Sequence, residues 1–440
     1  MKRVLVLTAL PFKRRGNQSL LRFVGLFLSR GIHVDMYTSG SDAGGHHRIE
    51  DSTFTLHEVF ALRDHVFDAL RRLARKRRAR RPRPSAEPPG AYYRRIRSED
   101  VVPPYGAHNW RTALRKWSYF LLLLIDNLLL TLRFLILERA AIRRADLVVG
   151  YECDYAFAAR FLARAFRKRY VNKFQGTVLK ATGRDRSVAR RYYPNAWFGL
   201  NRADLCLMVD DGTDGEYYAK VRGNRKIFCE PHGVALGDYS EPLPPLEDPE
   251  FSRRALVFNN ASASTWKRID RILRALARVS PEARERMLFV TTYHADDVDE
   301  LKAFARDLGL EDCVRFVDRL DHIQSNVLLR HARALVMTND MSNLGNPVLE
   351  AIHYRVPVIS INDGSLDGYV TDGVDGMLLD LDDHLDEALA RVLEKVVLED
   401  GFAERLRQNR QPNPKVNPLE VQQAREFEVI AAVAASRPAR

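Results

Sequence analysis

The run Ser342-Asn343-Leu344-Gly345-Asn346-Pro347-Val348-Leu349-Glu350 joins a glycine, amide side chains and a carboxylate in one short segment. It lies between the apolar stretches Ala334–Met337 and Val356–Ile359, an arrangement that predicts strand, loop, helix and second strand. Such a loop ends at a helix amino terminus, where unpaired backbone N–H groups and the helix dipole favour a phosphate. Glu350 follows within about two turns, placed to accept hydrogen bonds from sugar hydroxyls. A diphosphate cradle and a ribose clamp are therefore expected together.

Lys267 is the second candidate. It follows the expected strand Leu256–Phe258 and a polar run, at the start of an expected helix over 267–279. An ammonium there can neutralise phosphate charge as a leaving group departs. Arg268 and Arg271 beside it fit the alternative of a solvated helix face, but the place after a strand favours the functional role. In the amino-terminal half, Glu152 and Gln175 follow the expected strands 147–150 and 170–174, and either can orient an acceptor hydroxyl. Gly16 and Asn17 precede the first helix, where a phosphate or an acceptor can be contacted. Cys153, Cys206, Cys229 and Cys313 form no C-x-x-C pair and read as free thiols of a reducing compartment.

The elements that must hold these residues alternate in type. Val4–Thr8 reads as a buried strand, 18–29 as a helix, and Val34 opens the next strand. Pro11 and Lys13-Arg14-Arg15 break the first apolar run too early for a leader peptide. A second α/β series starts near residue 236, after which Pro242-Leu243-Pro244-Pro245 reads as a linker. Asp211 or Thr213 is expected to cap a helix. The fold class expected is α/β: two Rossmann-like doubly wound domains facing a cleft, 1–235 and 236–415, with a last helix in 416–440 returning to the first. Strand carboxyl ends, and so the candidate residues, should line that cleft.

The net charge of +12 is concentrated: nine positive residues fall in 71–83. Residues 71–98, basic and then Pro-rich, read as a mobile insertion. Trp117–Leu137 is the most hydrophobic segment and long enough to cross a bilayer. Asp126, Asn127 and Arg133, and a following strand expected in the same sheet, argue against crossing. A buried or an interfacial helix remains, and an anionic membrane surface is the expected partner of 71–83 and 117–137. No aromatic-interleaved basic motif points to nucleic acid.

The carboxy-terminal half resembles GT-B glycosyltransferases of the large retaining family 4. The resemblance rests on Trp266-Lys267-Arg268-Ile269-Asp270, Gly345 to Ala351, Val356-Pro357-Val358-Ile359 and Asp372-Gly373-Val374-Asp375-Gly376. The first half is similar more weakly, through the loop around Gly16 and through Phe174-Gln175-Gly176-Thr177. The resemblance implies a UDP- or GDP-linked sugar donor in the second domain and an acceptor, glycan or lipid-linked, in the first. Glu350 would hold the ribose, and Lys267 and the Ser342–Asn346 loop the diphosphate, with no cofactor and no metal. It implies a cytoplasmic enzyme, peripheral on the inner face of the membrane, that builds cell-surface polysaccharide or glycolipid.

The chain departs from that family at three places. Ser342 stands where a first glutamate is usual, Ala261 and Ser262 where an arginine partners the lysine, and Gln175 where a histidine is frequent. A second donor cation would then come from Arg319, Arg15 or Arg14. These departures keep two other readings open: a binding protein that kept the fold without turnover, and an enzyme that isomerises a nucleotide sugar.

Overall fold

Alternation along the first strand sets the architecture. In β1 (Arg3–Thr8), Val4 and Val6 enter one apolar layer and Leu5 and Leu7 the opposite one, all fully buried. A strand covered on both faces belongs inside a parallel sheet flanked by helices. The computed structural model describes residues 1–10, 18–39, 48–50, 53–59, 61–66, 69, 89–102, 108–235, 250–293, 298–318 and 320–436. They form two units, each a doubly wound α/β layer.

The first unit draws on residues within Met1–Pro84, Ala107–Glu230 and Glu420–Arg440. Beside β1 its strands are β2 (His33–Ser39), β3 (Arg48–Glu50), β4 (Phe54–Val59), β5 (Leu147–Tyr151), β6 (Arg169–Phe174), β7 (Leu205–Val209) and β8 (Ile227–Glu230). Their order is β3-β4-β2-β1-β5-β6-β7-β8, parallel except for the β3–β4 pair. The direction of winding reverses between β1 and β5. The closing helix Leu419–Ala435 packs Ile430 and Val433 into the layer beneath β1 and β2, and its Glu426 pairs with Lys173 at 2.7 Å.

The second unit draws on residues within Ser85–Gly106 and Pro231–Leu419. Its strands are β9 (Ala255–Asn259), β10 (Met287–Thr292), β11 (Val314–Val317), β12 (Ala334–Met337), β13 (Val358–Ile361) and β14 (Gly376–Leu379). All are parallel, in the order β11-β10-β9-β12-β13-β14, so winding reverses between β9 and β12. Ligands of open α/β sheets bind at such reversals, outside the strand carboxyl ends, because the flanking loops diverge there.

Two expectations change. Of the expected mobile insertion 71–98, residues 71–88 lie outside the described residues, but 89–98 belong to the ordered second unit. Tyr93 is 2% exposed in its core, Tyr92 and Ile96 pack against it, and Gly90 N donates to Glu300 at 2.6 Å. Three apolar side chains in a basic, Pro-rich context drive this docking. The expected helix over 267–279 instead starts at Ile269. Thr265–Lys267 forms a separate 3-10 turn, and Arg268 breaks it at φ 51°.

The apolar segment is the helix Trp110–Ile136, capped by Asn109, whose side chain accepts from Thr112 N at 3.0 Å. Its inner face, including Phe120, Leu123, Leu130 and Phe134, is buried. Asp126 accepts the backbone N–H groups of Leu62 at 2.7 Å and Arg63 at 3.4 Å. Asn127 donates to Asp154 O at 2.7 Å and accepts from Ala158 N at 2.9 Å. The polar residues of this segment thus satisfy the protein interior. The strands on either side of it, β4 and β5, lie in one sheet, as a helix crossing a bilayer between them would not allow.

Candidate functional site

At the β9/β12 reversal of the second unit, two loops meet. The loop after β9 ends in the turn that carries Lys267, whose Nζ lies 4.0 Å from the Trp266 ring centroid. The loop after β12 carries Ser342 to Gly345. They are tied together where Asp340 N donates to Trp266 O at 2.9 Å.

Arg268 and Arg271 are not on a solvated face; both are fully buried. Arg271 pairs with Asp340 at 2.7 Å and donates to Thr338 O at 2.7 Å and Ser98 O at 2.6 Å. Arg268 pairs with Asp270 at 3.0 Å and donates to Asp100 O and to Arg97 O, the latter at 2.8 Å. Val102 N completes the cluster by donating to Asp340 at 2.8 Å. The arginines therefore clamp the 97–102 segment, which turns at Ser98-Glu99, against the Lys267 turn. They are spent on structure, because a buried guanidinium is tolerated only when its charge and its N–H groups are matched.

In the second loop, Asn343 is fully buried; its side chain accepts from Asn339 N at 2.8 Å and donates to Asn339 O at 3.1 Å. Leu344 is packed in the core. These two side chains brace the loop from inside, and only their backbone can meet a ligand. Gly345 is the cap of the helix Asn346–His353. Val348 N and Leu349 N turn back to Gly345 O, and Asn343 N donates to Ser365 Oγ. The N–H groups of Leu344, Gly345 and Asn346 have no acceptor among the described residues. Gly345 has φ −118°, which any residue adopts, and an added Cβ would meet only Pro347 Cδ at 3.6 Å. Nothing among the described residues requires a glycine there.

Glu350, on the same helix, is 6% exposed. His322, the first residue of the helix His322–His331, lies with Nε2 3.1 Å from Glu350 Oε1. The other oxygen, Oε2, has no partner among the described residues. The sequence reading overlooks His322 because it follows β11, a strand removed from the motif in the chain. Its capping box, Asp321 with Gln324, is the signal that fixes it at a helix start.

In the first unit, Glu152 and Gln175 are brought together. Gln175 N donates to Glu152 Oε1 at 2.8 Å, and Gln175 Nε2 donates to Tyr151 Oη at 3.0 Å. Glu152 holds a left-handed backbone, φ 64°, a conformation unfavourable for a residue with a side chain. Burial pushes its carboxyl up to about 7, against the pull of the Gln175 amide. Asp211, after β7, is likewise pushed up to about 7 by burial, opposed by the Thr213 hydroxyl and amide that it accepts. It is not the expected cap: Asp214 takes that position in the helix Gly215–Val221, with no side-chain bond. Gly176 has φ +123°, and a Cβ there would come within 2.0 Å of Asp211 Oδ2, so this glycine is needed to admit the carboxylate. Gly16, Asn17, Arg14, Arg15 and Arg319 lie outside the described residues.

Residues 247–412 match the family model described as glycosyl transferases group 1. Over 111 residues the chain is 30% identical to the lipopolysaccharide core biosynthesis glycosyltransferase LpsE of Rhizobium meliloti (strain 1021). That alignment covers 25% of this chain, and the chain spans about a third of that relative's length (32%). Among solved structures, a sucrose-phosphate synthase from Thermosynechococcus elongatus aligns over 99% of this chain and 100% of its own, with TM-score 0.63 and 15% identity. The Anabaena protein HepE in complex with UDP-glucose aligns over 98% and 99%, with TM-score 0.58 and 14% identity. At these identities the likeness is one of fold, the two-unit GT-B architecture.

Proposed function

We propose that this chain, whose second unit carries a group 1 glycosyl transferase domain on a GT-B fold, moves a sugar from a nucleotide diphosphate to an acceptor hydroxyl. The observation that carries the reading is the meeting, at one winding reversal, of Lys267, the unpaired Leu344–Asn346 amides and a Glu350 held by His322. The amides and Lys267 take the diphosphate, and Glu350 Oε2 takes the ribose hydroxyls. LpsE's role in lipopolysaccharide core synthesis and the UDP-glucose in HepE support a sugar-nucleotide donor and a cell-surface glycan product.

Transfer proceeds with retention and without a metal. The bond from the sugar carbon to the phosphate oxygen breaks, and the acceptor oxygen attacks on the same face. The departing phosphate takes the acceptor proton, while Lys267 and the amides offset the charge it gains. The acceptor lies against the first unit, where Glu152 and Gln175 orient its hydroxyl. The enzyme works in the cytoplasm, at the inner membrane face, on a glycan or lipid-linked sugar. Titration calorimetry with UDP- and GDP-sugars tests the donor site: Glu350→Ala should weaken donor binding at least tenfold, and unchanged affinity refutes the ribose role.

A second reading, binding without turnover, is favoured by Ser342, Ser262 and Gln175 and by the inward commitment of Arg268 and Arg271. Donor bound but neither hydrolysed nor transferred, across a panel of acceptors, would select it.

A further inference from the structure

Strands β5 to β8 of the first unit run parallel, and Glu152, Gln175 and Asp211 all follow their carboxyl ends. At the opposite, amino ends of β6, β7 and β8 lies a groove of about 1080 Å³, lined by six arginines, two lysines and one carboxylate. The carboxylate, Asp204, is engaged by Arg169 at 2.5 Å and by Tyr170 N at 2.9 Å, and Arg169 also donates to Ser436 O at 3.2 Å. Lys168 donates to Arg143 O at 2.7 Å. The other six cations, Arg160, Arg164, Arg167, Arg202, Arg225 and Lys226, make neither an ion pair nor a side-chain hydrogen bond among the described residues. They come from three parts of the chain: the helix Ala156–Ala165 with the turn behind it, the entry to β7 and the entry to β8.

Helix ends do not account for this many charges. The carboxyl end of a helix offers about half a negative charge, far less than six cations bring. Arg167 also holds φ 52° just beyond the cap Phe166, a place where glycine is the unstrained choice. Burial, and then the neighbouring charges of Arg164 and Arg202, lower the pKa of Arg160. Like charges gathered in this way repel one another until an anion enters.

The lining also selects the kind of anion. Guanidinium forks match the paired oxygens of phosphate. At about one and a half to two negative charges per phosphate group, three or four groups match the six cations, whereas each carboxylate brings a single charge. Among the described lining residues the one aromatic ring is Tyr170, which is 3% exposed and donates its hydroxyl to Ala156 O at 3.2 Å. Nucleic-acid bases therefore find no ring to stack on. We propose that this groove is a binding site for a soluble oligophosphate, a run of three or more phosphate groups. It is independent of the transferase reading, because Lys267 and Glu350 belong to the second unit.

The test is titration calorimetry of the full chain with sodium tripolyphosphate, inorganic phosphate and citrate at one ionic strength. Tripolyphosphate should bind at least tenfold more tightly than the other two, and more weakly as salt rises. Arg202→Gln with Arg225→Gln, both exposed, should weaken tripolyphosphate at least tenfold without moving Tm. The charge-matched pair Arg306→Gln with Arg391→Gln, exposed on the second unit, should change it less than twofold. Equal loss in the two pairs, no loss in the groove pair, or citrate binding as tightly as tripolyphosphate overturns the proposal. So does tripolyphosphate binding that saturating UDP abolishes, which would place the ligand at a nucleotide site. In co-sedimentation with phosphatidylglycerol vesicles the groove pair should match the parent; a pair that keeps tripolyphosphate but loses the vesicles overturns the soluble ligand in favour of a lipid headgroup. UDP that fails to bind while tripolyphosphate still does sinks the transferase reading and leaves the groove standing.

Discussion

Replacing Glu152 by glutamine should make the first unit more stable at pH 8 and no more stable at pH 4. The carboxyl is pushed from an ordinary 4.5 to about 7 by burial. The folded state therefore holds a proton that the unfolded chain has released between these values, so stability falls as pH rises through that window and is level above it. At about 1.4 kcal/mol per pH unit, the 2.5-unit interval amounts to at most about 3.5 kcal/mol. Glutamine keeps an oxygen for the Gln175 N–H, 2.8 Å away in the parent, so the variant removes the charge without removing the hydrogen bond. Urea unfolding followed by tryptophan fluorescence suits the measurement, because Trp110, Trp117 and Trp197 all lie in the first unit. The parent should lose stability from pH 5 to pH 7.5, and the variant should lose less, with Asp211 supplying the remaining slope. A variant with the parent's pH slope and lower stability at pH 8 would refute the buried-carboxyl argument.

Other outcomes follow from the second unit. Asp340→Ala leaves buried Arg268 and Arg271 undermatched and should cost about 3–5 kcal/mol, seen by calorimetry as a lower Tm for that unit. Gly345→Ala should leave Tm nearly unchanged, since φ and the space around an added Cβ admit the methyl group. The same change should weaken nucleotide-sugar binding at least tenfold, about 1.4 kcal/mol, read by titration calorimetry. His322→Ala removes the partner of Glu350 Oε1 and should raise the donor Kd about fivefold, near 1 kcal/mol for one hydrogen bond; an unchanged Kd would show that Glu350 needs no orienting group.

Much of the second unit was legible before folding was considered. Strands β9, β10 and β12 each carry an apolar run of four residues and β13 is broken only by Ser360, and the motif between β12 and β13 carries its own loop glycine and helix start. The strands missed were those without such runs: the three-residue β3, β4, where His57 and Glu58 interrupt the pattern, and the short β8 and β14. The Lys267 turn was misplaced by two residues because a left-handed Arg268 is not visible in any periodicity. Residues 89–98 were read by their charge and proline content, whereas Tyr92, Tyr93 and Ile96 decided their place.

Local chemistry along the chain determined which residues are candidates, since loop amides, an ammonium and a carboxylate near a helix start are properties of neighbours in sequence. Strand order belongs to the tertiary structure, because hydrogen-bonding partners are chosen among distant strands. That choice put winding reversals at β1/β5 and β9/β12, drew His322 onto Glu350 and Asp211 beside Gly176, and turned Arg268 and Arg271 inward. Burial then set which charges are paired and which protons are held.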